Sequence, residues 1–256
     1  MITTIRHSHF FIVGVFSFFL MTLPISQAQT GLVVSLNGGL ANSKLKYANL
    51  INLKTTTSNI TGYHGGLNIG WRFSERFTLL SGFHLIQKGT KFADENKAYR
   101  DDSNGGQTYL GFLTGEEKVS FMTIPIVARY KVVGQGFGVL LSAGLTLNSG
   151  NNGTGFKYIQ ANNGKIFAAR YEMVEFGEDI DQLYTPFQIG FLVGLGIQIP
   201  VSENGRVLLN GSLDLGLTDA LNHRYKQANT IFERAYNRST IFSIGYEYYF
   251  NLGDQY

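Results

Sequence analysis

The chain has 256 residues and no cysteine, which excludes a disulfide framework, a thiolate metal site, a cysteine nucleophile and the acylated cysteine of a lipoprotein. Its formal net charge of +3 comes from scattered basic residues, whereas a nucleic-acid-binding protein needs a clustered basic face. The 31 glycines, 4 prolines and 14% of aromatic residues favour many strands joined by tight turns over disorder.

The N-terminus predicts export. A basic start at Arg6 precedes an apolar run over residues 10–23, and Ser26-Gln27-Ala28 forms a small-x-small cleavage site. This arrangement is typical of a secretory signal peptide, and the run is shorter than the roughly 20 residues that a membrane helix needs. We therefore expect residues 1–28 to be removed and residues 29–256 to form a single domain.

Eight stretches of the chain alternate apolar and polar residues with a period of two, as β-strands do. In chain order they are residues 32–40, 62–73, 77–88, 118–132, 137–148, 184–200, 206–218 and 240–252. Long polar connections alternate with short turns, and the long ones are residues 41–61, 89–117, 149–183 and 219–239. This layout predicts an all-β fold, an eight-stranded antiparallel up-and-down transmembrane barrel with short periplasmic turns and four long extracellular loops.

The last strand favours the membrane barrel over a soluble eight-stranded barrel, which would turn its apolar faces inward. Its outward residues are Phe242, Ile244, Tyr246, Tyr248 and Phe250, and roughly 9 to 11 residues cross a bilayer as a tilted strand. Aromatic residues also cluster near the short turns, as an interfacial girdle does: Trp71, Phe73, Phe77, Tyr130, Phe137 and Phe250. The last strand should pair with the first and close the barrel.

One strand carries an irregularity. Pro125 lies within residues 118–132, and proline has no amide hydrogen to donate to a ladder. We expect a β-bulge or a missing hydrogen bond at this position.

The polar faces of the strands predict the content of the lumen. Arg72, Arg129, Asp214 and Glu247 point inward on this pattern, and they are joined by His64, Asn68, His84, Gln188, Gln198 and Asn210. Buried charges are costly unless they pair, so we expect an ion-pair core in which Glu247 meets Arg72 or Arg129. The alternative is a narrow polar conduit. Two histidines without a placed carboxylate predict hydrogen-bonded core residues and no metal site.

The long loops are the expected place of function. One loop carries the acidic residues Glu172, Glu175, Glu178, Asp179 and Asp181, and the last loop carries His223, Arg224, Tyr225, Lys226, Phe232, Arg234, Tyr236 and Arg238. These residues form a solvated rim in the simplest interpretation. The specific hypotheses are that the two loops dock, or that Arg224, Lys226, Arg234, Arg238 and Tyr236 bind lipopolysaccharide phosphates or a glycan.

No catalytic motif is present: the sequence has no G-x-S-x-G elbow, no H-E-x-x-H, no P-loop and no EF-hand loop. We expect neither an enzyme nor a cofactor. The composition leaves two functions open, a structural or surface-interaction protein that works through its loops and a narrow pore for small solutes. The expected partners are outer-membrane lipid, the barrel-assembly machinery and an unidentified surface partner, with a monomeric state.

Four segments carry a resemblance to a known family: GGLNIGWRF (65–73), FMTIPIVARY (121–130), FLVGLGIQIP (191–200) and LDLGLTDALN (213–222). Together with the closing aromatic strand, they resemble the PorT-like outer-membrane β-barrels, often called porin family proteins. The resemblance implies an eight-stranded barrel in the outer membrane of a Gram-negative bacterium, and an accessory role in protein secretion as a further alternative. Such barrels often end on an aromatic insertion signal, for which Phe250 and Tyr256 are the candidates.

Overall fold

The computed structural model describes residues 31–47, 55–101, 107–133, 137–161, 166–173, 185–220 and 234–251. Its ten strands are β1 (Gly31–Tyr47), β2 (Thr55–Ser58), β3 (Ile60–Arg72), β4 (Phe77–Asp101), β5 (Gln107–Val133), β6 (Gly138–Ala161), β7 (Ile166–Met173), β8 (Phe187–Pro200), β9 (Gly205–Gly216) and β10 (Ala235–Asn251). Over these ranges, no helix has the length and apolar character needed to span a membrane. The N-terminal segment that predicts a signal peptide lies outside the described residues, as does Tyr256.

Eight of the strands form one closed antiparallel ring in the order β1, β3, β4, β5, β6, β8, β9 and β10. The ring closes because β1 pairs with β10 over its whole length, from Gly31 opposite Asn251 to Tyr47 opposite Ala235. A closed ring leaves no strand edge exposed to lipid. The prediction of an eight-stranded barrel closed by the first and last strands is therefore confirmed.

The strands extend well beyond the stretches that the sequence predicts. β4 and β5 pair as far as Asp101 opposite Gln107, and β6 continues to Ala161, where β7 pairs with it. Much of the chain expected as loop at residues 89–117 and 149–183 is therefore β-hairpin, and this is a correction. Above the membrane, pairing requires only backbone hydrogen bonds, so the apolar alternation that marks a lipid-facing strand disappears while the strand continues.

Pro125 interrupts one ladder as expected. On the β4 side, Ser81 pairs with Ile126 and His84 pairs with Thr123, and the ladder is open between these two pairs of described residues. The register is the same on both sides of the opening, so the interruption is a loss of pairing without a bulge. On the β6 side, Pro125 remains opposite Thr146.

The two faces of the sheet differ sharply in exposure. Outward side chains such as Leu36 (65%) and Phe242 (62%) are exposed, whereas the inward Glu247 is 0% exposed. On β1 the outward apolar band runs from Leu32 to Leu40, which is the length expected of a tilted transmembrane strand. At the edge of this band nearest the short turns, Leu32 lies opposite both Trp71 and Phe250. These two members of the predicted aromatic girdle therefore lie at one level of the barrel.

Apolar side chains occupy both ends of the interior. The larger group, which we call the upper apolar cluster, lies toward the long hairpins and consists of Ala41, Leu45, Ile86, Val119, Phe121, Ala220, Ala235 and Ile241. A smaller group near the short turns contains Val33, Leu80 and Tyr249. Polar and charged side chains of the lumen lie between these two clusters.

Candidate functional site

The lower part of the lumen is crossed by a buried ion pair. Arg129 Nη1 donates to Glu247 Oε2, and the Tyr249 hydroxyl donates to Glu247 Oε1 at 2.5 Å. Gln198 Nε2 in turn donates to the Tyr249 hydroxyl at 2.6 Å, and the Arg72 guanidinium lies over the Tyr249 ring, 4.6 Å from its centroid. We call this group the lower strut.

A second buried ion pair crosses the upper part of the lumen. Lys88 Nζ donates to Asp214 Oδ2 at 2.6 Å and to Asn148 Oδ1 at 3.0 Å. The Thr146 hydroxyl donates to Asp214 Oδ1 at 3.0 Å, and the ammonium also lies 5.5 Å from the centroid of the Phe121 ring. We call this group the upper strut.

Both struts span the full width of the barrel. Arg129 is on β5 and Glu247 is on β10, and three strands of the ring separate β5 from β10 in each direction. The same holds for Lys88 on β4 and Asp214 on β9. The two ion pairs therefore join opposite walls, along neighbouring diameters.

A chain of neutral polar groups lies between the struts. His64 Nε2 and His84 Nδ1 are hydrogen-bonded at 3.1 Å, His84 Nε2 and Asn68 Oδ1 at 2.7 Å, and Asn68 Nδ2 donates to the Ser35 hydroxyl at 3.2 Å. Within the described ranges, no group of three or more His, Cys, Asp or Glu residues is placed to hold a metal ion. The two histidines thus bond to each other and to an amide.

A cavity of about 100 Å³ lies in this middle zone, and its lining includes Asn37, His64, Arg129 and Asp214. Asn37 Oδ1 and His64 Nδ1 are buried and have no hydrogen-bond partner among the described residues. Buried polar atoms in proteins are nearly always satisfied by protein or by ordered water. The cavity has a mixed lining, in which Leu80, Ile86 and Val127 accompany the polar groups, and its size leaves room for water beside those groups. The middle of the lumen is therefore suited to hold a few water molecules between the two struts.

The structure brings some of the predicted lumen residues together and separates others. Arg129 and Glu247 meet, whereas Asp214 takes Lys88 as its partner, a residue that the sequence analysis did not assign to the lumen. A signal for Lys88 existed, because it shares the parity of His84 on the same strand. The alternation does not decide for Lys88, because it stands at the end of the predicted strand; in the structure its side chain is buried in the lumen.

The basic residues of the last loop are only partly placed. Arg234 and Arg238 are exposed on the outward side at the top of β10, and Tyr236 is half-buried between them. Arg224 and Lys226 lie outside the described residues, and so do most of the acidic residues of the other loop. Tyr236 and Arg238 therefore belong to the wall of the barrel, and Arg234 lies directly before β10.

The fold and the lumen define an integral β-barrel protein of the bacterial outer membrane. The chain belongs to the outer membrane protein beta-barrel domain family, whose model matches residues 27–222. No curated protein sequence matches the chain.

Several solved barrels are similar in shape, each at low identity. Neisserial surface protein A has 14% identity and a TM-score of 0.43, with 86% of this chain and 97% of that chain covered. The outer membrane protease OmpT from Escherichia coli has 10% identity and a TM-score of 0.44, with the same coverage of 86% and 97%. OprG from Pseudomonas aeruginosa has 14% identity and a TM-score of 0.38, with 86% and 96% covered.

Proposed function

We propose that this protein is a closed outer-membrane barrel that acts as a structural and surface-interaction protein. The observation that carries the proposal is the pair of ion-pair struts, each of which joins opposite walls of the lumen. An eight-stranded barrel is only wide enough for its own side chains to fill. The upper apolar cluster, with Phe121 1% exposed and in contact with Lys88, fills the lumen further beside the upper strut.

Passage of a solute would require the struts to open. Glu247 and Asp214 are 0% and 4% exposed, and separating a buried ion pair leaves two uncompensated charges at a cost of ~3–5 kcal/mol. Two struts in series make the open state rare. The closed lumen therefore supports an anchoring role over the alternative of a narrow pore.

The long hairpins supply the surface for interaction. β4, β5 and β6 continue above the apolar band, and β2 and β7 pair with this extension. Elements that stand outside the membrane on a rigid scaffold are the usual carriers of binding. This role requires no catalytic activity. Within its family, the chain resembles the PorT-like barrels in the four segments named above. Export by the N-terminal signal and a role beside a secretion machine are parts of the same proposal.

Conductance in planar lipid bilayers tests the closed lumen. We expect the wild-type barrel to show no current steps where a general porin reconstituted in parallel does. A variant that removes both struts and the apolar seal should conduct: Lys88→Ala, Phe121→Ala, Arg129→Ala, Asp214→Ala and Glu247→Ala. Heat-modifiable migration on a gel verifies that each barrel is folded. Current steps from the folded wild-type protein would overturn the proposal in favour of the pore.

A further inference from the structure

Three cationic side chains form a cluster on the outer face of the barrel, beyond the apolar band. Lys44 and Lys46 on β1 point outward, and Arg238 on β10 lies directly opposite Lys44. Tyr236 lies opposite Lys46 and adds an aromatic ring beside the charges. We call these four residues the outer basic cluster.

No acidic side chain of the described part of the chain pairs with this cluster. No ion pair or hydrogen bond joins the side chains of Lys44, Lys46 or Arg238 to another described residue. The wall formed by β4 and β5 behaves differently, because there Glu116 forms ion pairs with Lys91 at 3.7 Å and with Lys118 at 2.6 Å. Among the described residues, the outer basic cluster is thus a site of net positive charge, and the β4–β5 wall offers a counterpart in which two lysines share one carboxylate.

The cluster stands at the height of the lipid headgroups. The apolar band ends at Leu40 opposite Phe242, and Lys44 opposite Arg238 lies four residues farther along the same two strands. Four residues span ~13 Å along a strand, or ~10 Å along the membrane normal at the usual tilt. Lysine and arginine side chains reach back toward such an interface by snorkelling.

A groove opens beside the cluster because β9 is shorter than its neighbour. β9 ends at Gly216, and the chain then turns inward, since Ala220 is fully buried and its amide donates to the Ala235 carbonyl at 2.7 Å. The groove has a volume of about 580 Å³. Its lining is Lys46, Leu213, Leu215, Gly216, Tyr236, Asn237 and Arg238. Cations therefore lie along a groove whose floor toward the membrane is apolar.

A second groove of about 380 Å³ continues from the first into the apolar band, because both include Leu213. Its walls include Leu141 and Leu195, and its floor includes Gly211. Gly211 has no side chain, and a Cβ built there would meet only the Phe242 ring within 4 Å, at 3.5 Å. The lower groove is thus an apolar depression in the lipid-facing wall.

We propose that this face binds a phosphorylated glycolipid of the outer leaflet. A phosphate group lies at Lys44, Lys46 and Arg238, where it forms charge-assisted hydrogen bonds, and the ring of Tyr236 packs against the sugar. One acyl chain lies in the lower groove over Gly211. The site is on the outside of the barrel, so the inference does not depend on whether the lumen conducts.

Retention of lipid A tests this site. The full-length mature barrel is purified in detergent, equilibrated with bisphosphorylated lipid A and examined by native mass spectrometry for lipid A bound per barrel. We expect the triple variant Lys44→Gln, Lys46→Gln and Arg238→Gln to weaken lipid A binding by about tenfold or more, because it removes every cation of the cluster. The matched control Lys91→Gln with Lys118→Gln should bind as the wild type does.

Two further measurements separate a specific site from general attraction to anionic lipid. Lipid A without its phosphates, and phosphatidylglycerol, should both bind the wild type much more weakly than bisphosphorylated lipid A. Gly211→Leu, which fills the lower groove, should weaken lipid A binding while the barrel stays folded by heat-modifiable migration. Equal retention by the wild type and the folded triple variant, or equal binding of phosphate-free lipid A or phosphatidylglycerol, would overturn the proposal.

Discussion

The two struts of the lumen each compensate a buried cation, but they do so with different sets of partners. In the lower strut, Glu247 is the one carboxylate that Arg129 contacts within the described part of the chain. In the upper strut, Lys88 contacts Asp214, Asn148 and the face of Phe121. The lower strut places the compensation of a buried charge on one partner, and the upper strut distributes it over three.

The cost of replacing one partner of a buried ion pair therefore depends on the groups that surround the other partner. A buried charge that loses its only counter-ion keeps the full cost of desolvation. One that also loses its counter-ion but retains an amide oxygen and an aromatic face keeps part of its compensation. The two struts should therefore differ in the free energy of unfolding that is lost when the carboxylate of each is replaced by its amide.

The largest effect is expected for Glu247→Gln. The variant leaves the Arg129 guanidinium without a counter-ion, and it changes the acceptor of the Tyr249 hydroxyl. We expect the free energy of unfolding to fall by ~3–5 kcal/mol, as measured by urea unfolding in lipid vesicles. Glu203→Gln is the control, because Glu203 is exposed in the turn before β9 and should change stability by less than ~0.5 kcal/mol. A loss no larger than that of the control would contradict the assignment of the lower strut.

An intermediate effect is expected for Asp214→Asn. Lys88 keeps its hydrogen bond to Asn148 and its contact with Phe121, so we expect a loss of ~2 kcal/mol in the same unfolding experiment. The double variant Lys88→Met with Asp214→Leu removes both charges and should recover most of that loss. If Asp214→Asn proves as damaging as Glu247→Gln, the compensation is not distributed and the contrast between the struts fails.

The smallest effect is expected for a substitution in the wall between the struts, where two adjacent glycines can be compared. Gly66 faces the lumen, and a Cβ there would lie 2.1 Å from the His84 ring and 2.7 Å from the Phe83 carbonyl oxygen. Gly65 faces outward, where a Cβ would meet only the Asn37 carbonyl oxygen within 4 Å, at 3.7 Å. We expect Gly66→Ala to cost ~1–2 kcal/mol and Gly65→Ala to lie within ~0.5 kcal/mol of the wild type. Equal unfolding midpoints for the two variants would show that the middle of the lumen is loosely packed.

The parity of each transmembrane strand could be predicted from the sequence. The alternation predicts Glu247 and Arg129 in the lumen and Phe242 on the lipid side, because adjacent residues of a strand point to opposite faces. The partner of Asp214 could not be predicted in this way. The stagger and tilt of the strands decide which side chains meet across a lumen. The alternation of residues along a single strand gives no information on either quantity.

The sequence pattern also does not predict how far the hairpins extend beyond the membrane. Residues 89–101 and 107–117 are polar, yet they form paired strands above the membrane. The alternation of apolar residues arises where one face meets lipid, so its loss marks the membrane surface and not the end of the strand. Because this alternation is also lost near Arg238 and Tyr236, the sequence predicts a loop there, whereas both residues lie on β10.

Alternation and connection length predict an eight-stranded barrel with a polar interior, because both are local properties that can be read strand by strand. The contact of Lys88 with Asp214 across the lumen and the position of Lys44 beside Arg238 arise only in the folded barrel. These contacts join residues far apart in the chain, and they exist because closing the ring sets one register for all eight strands at once.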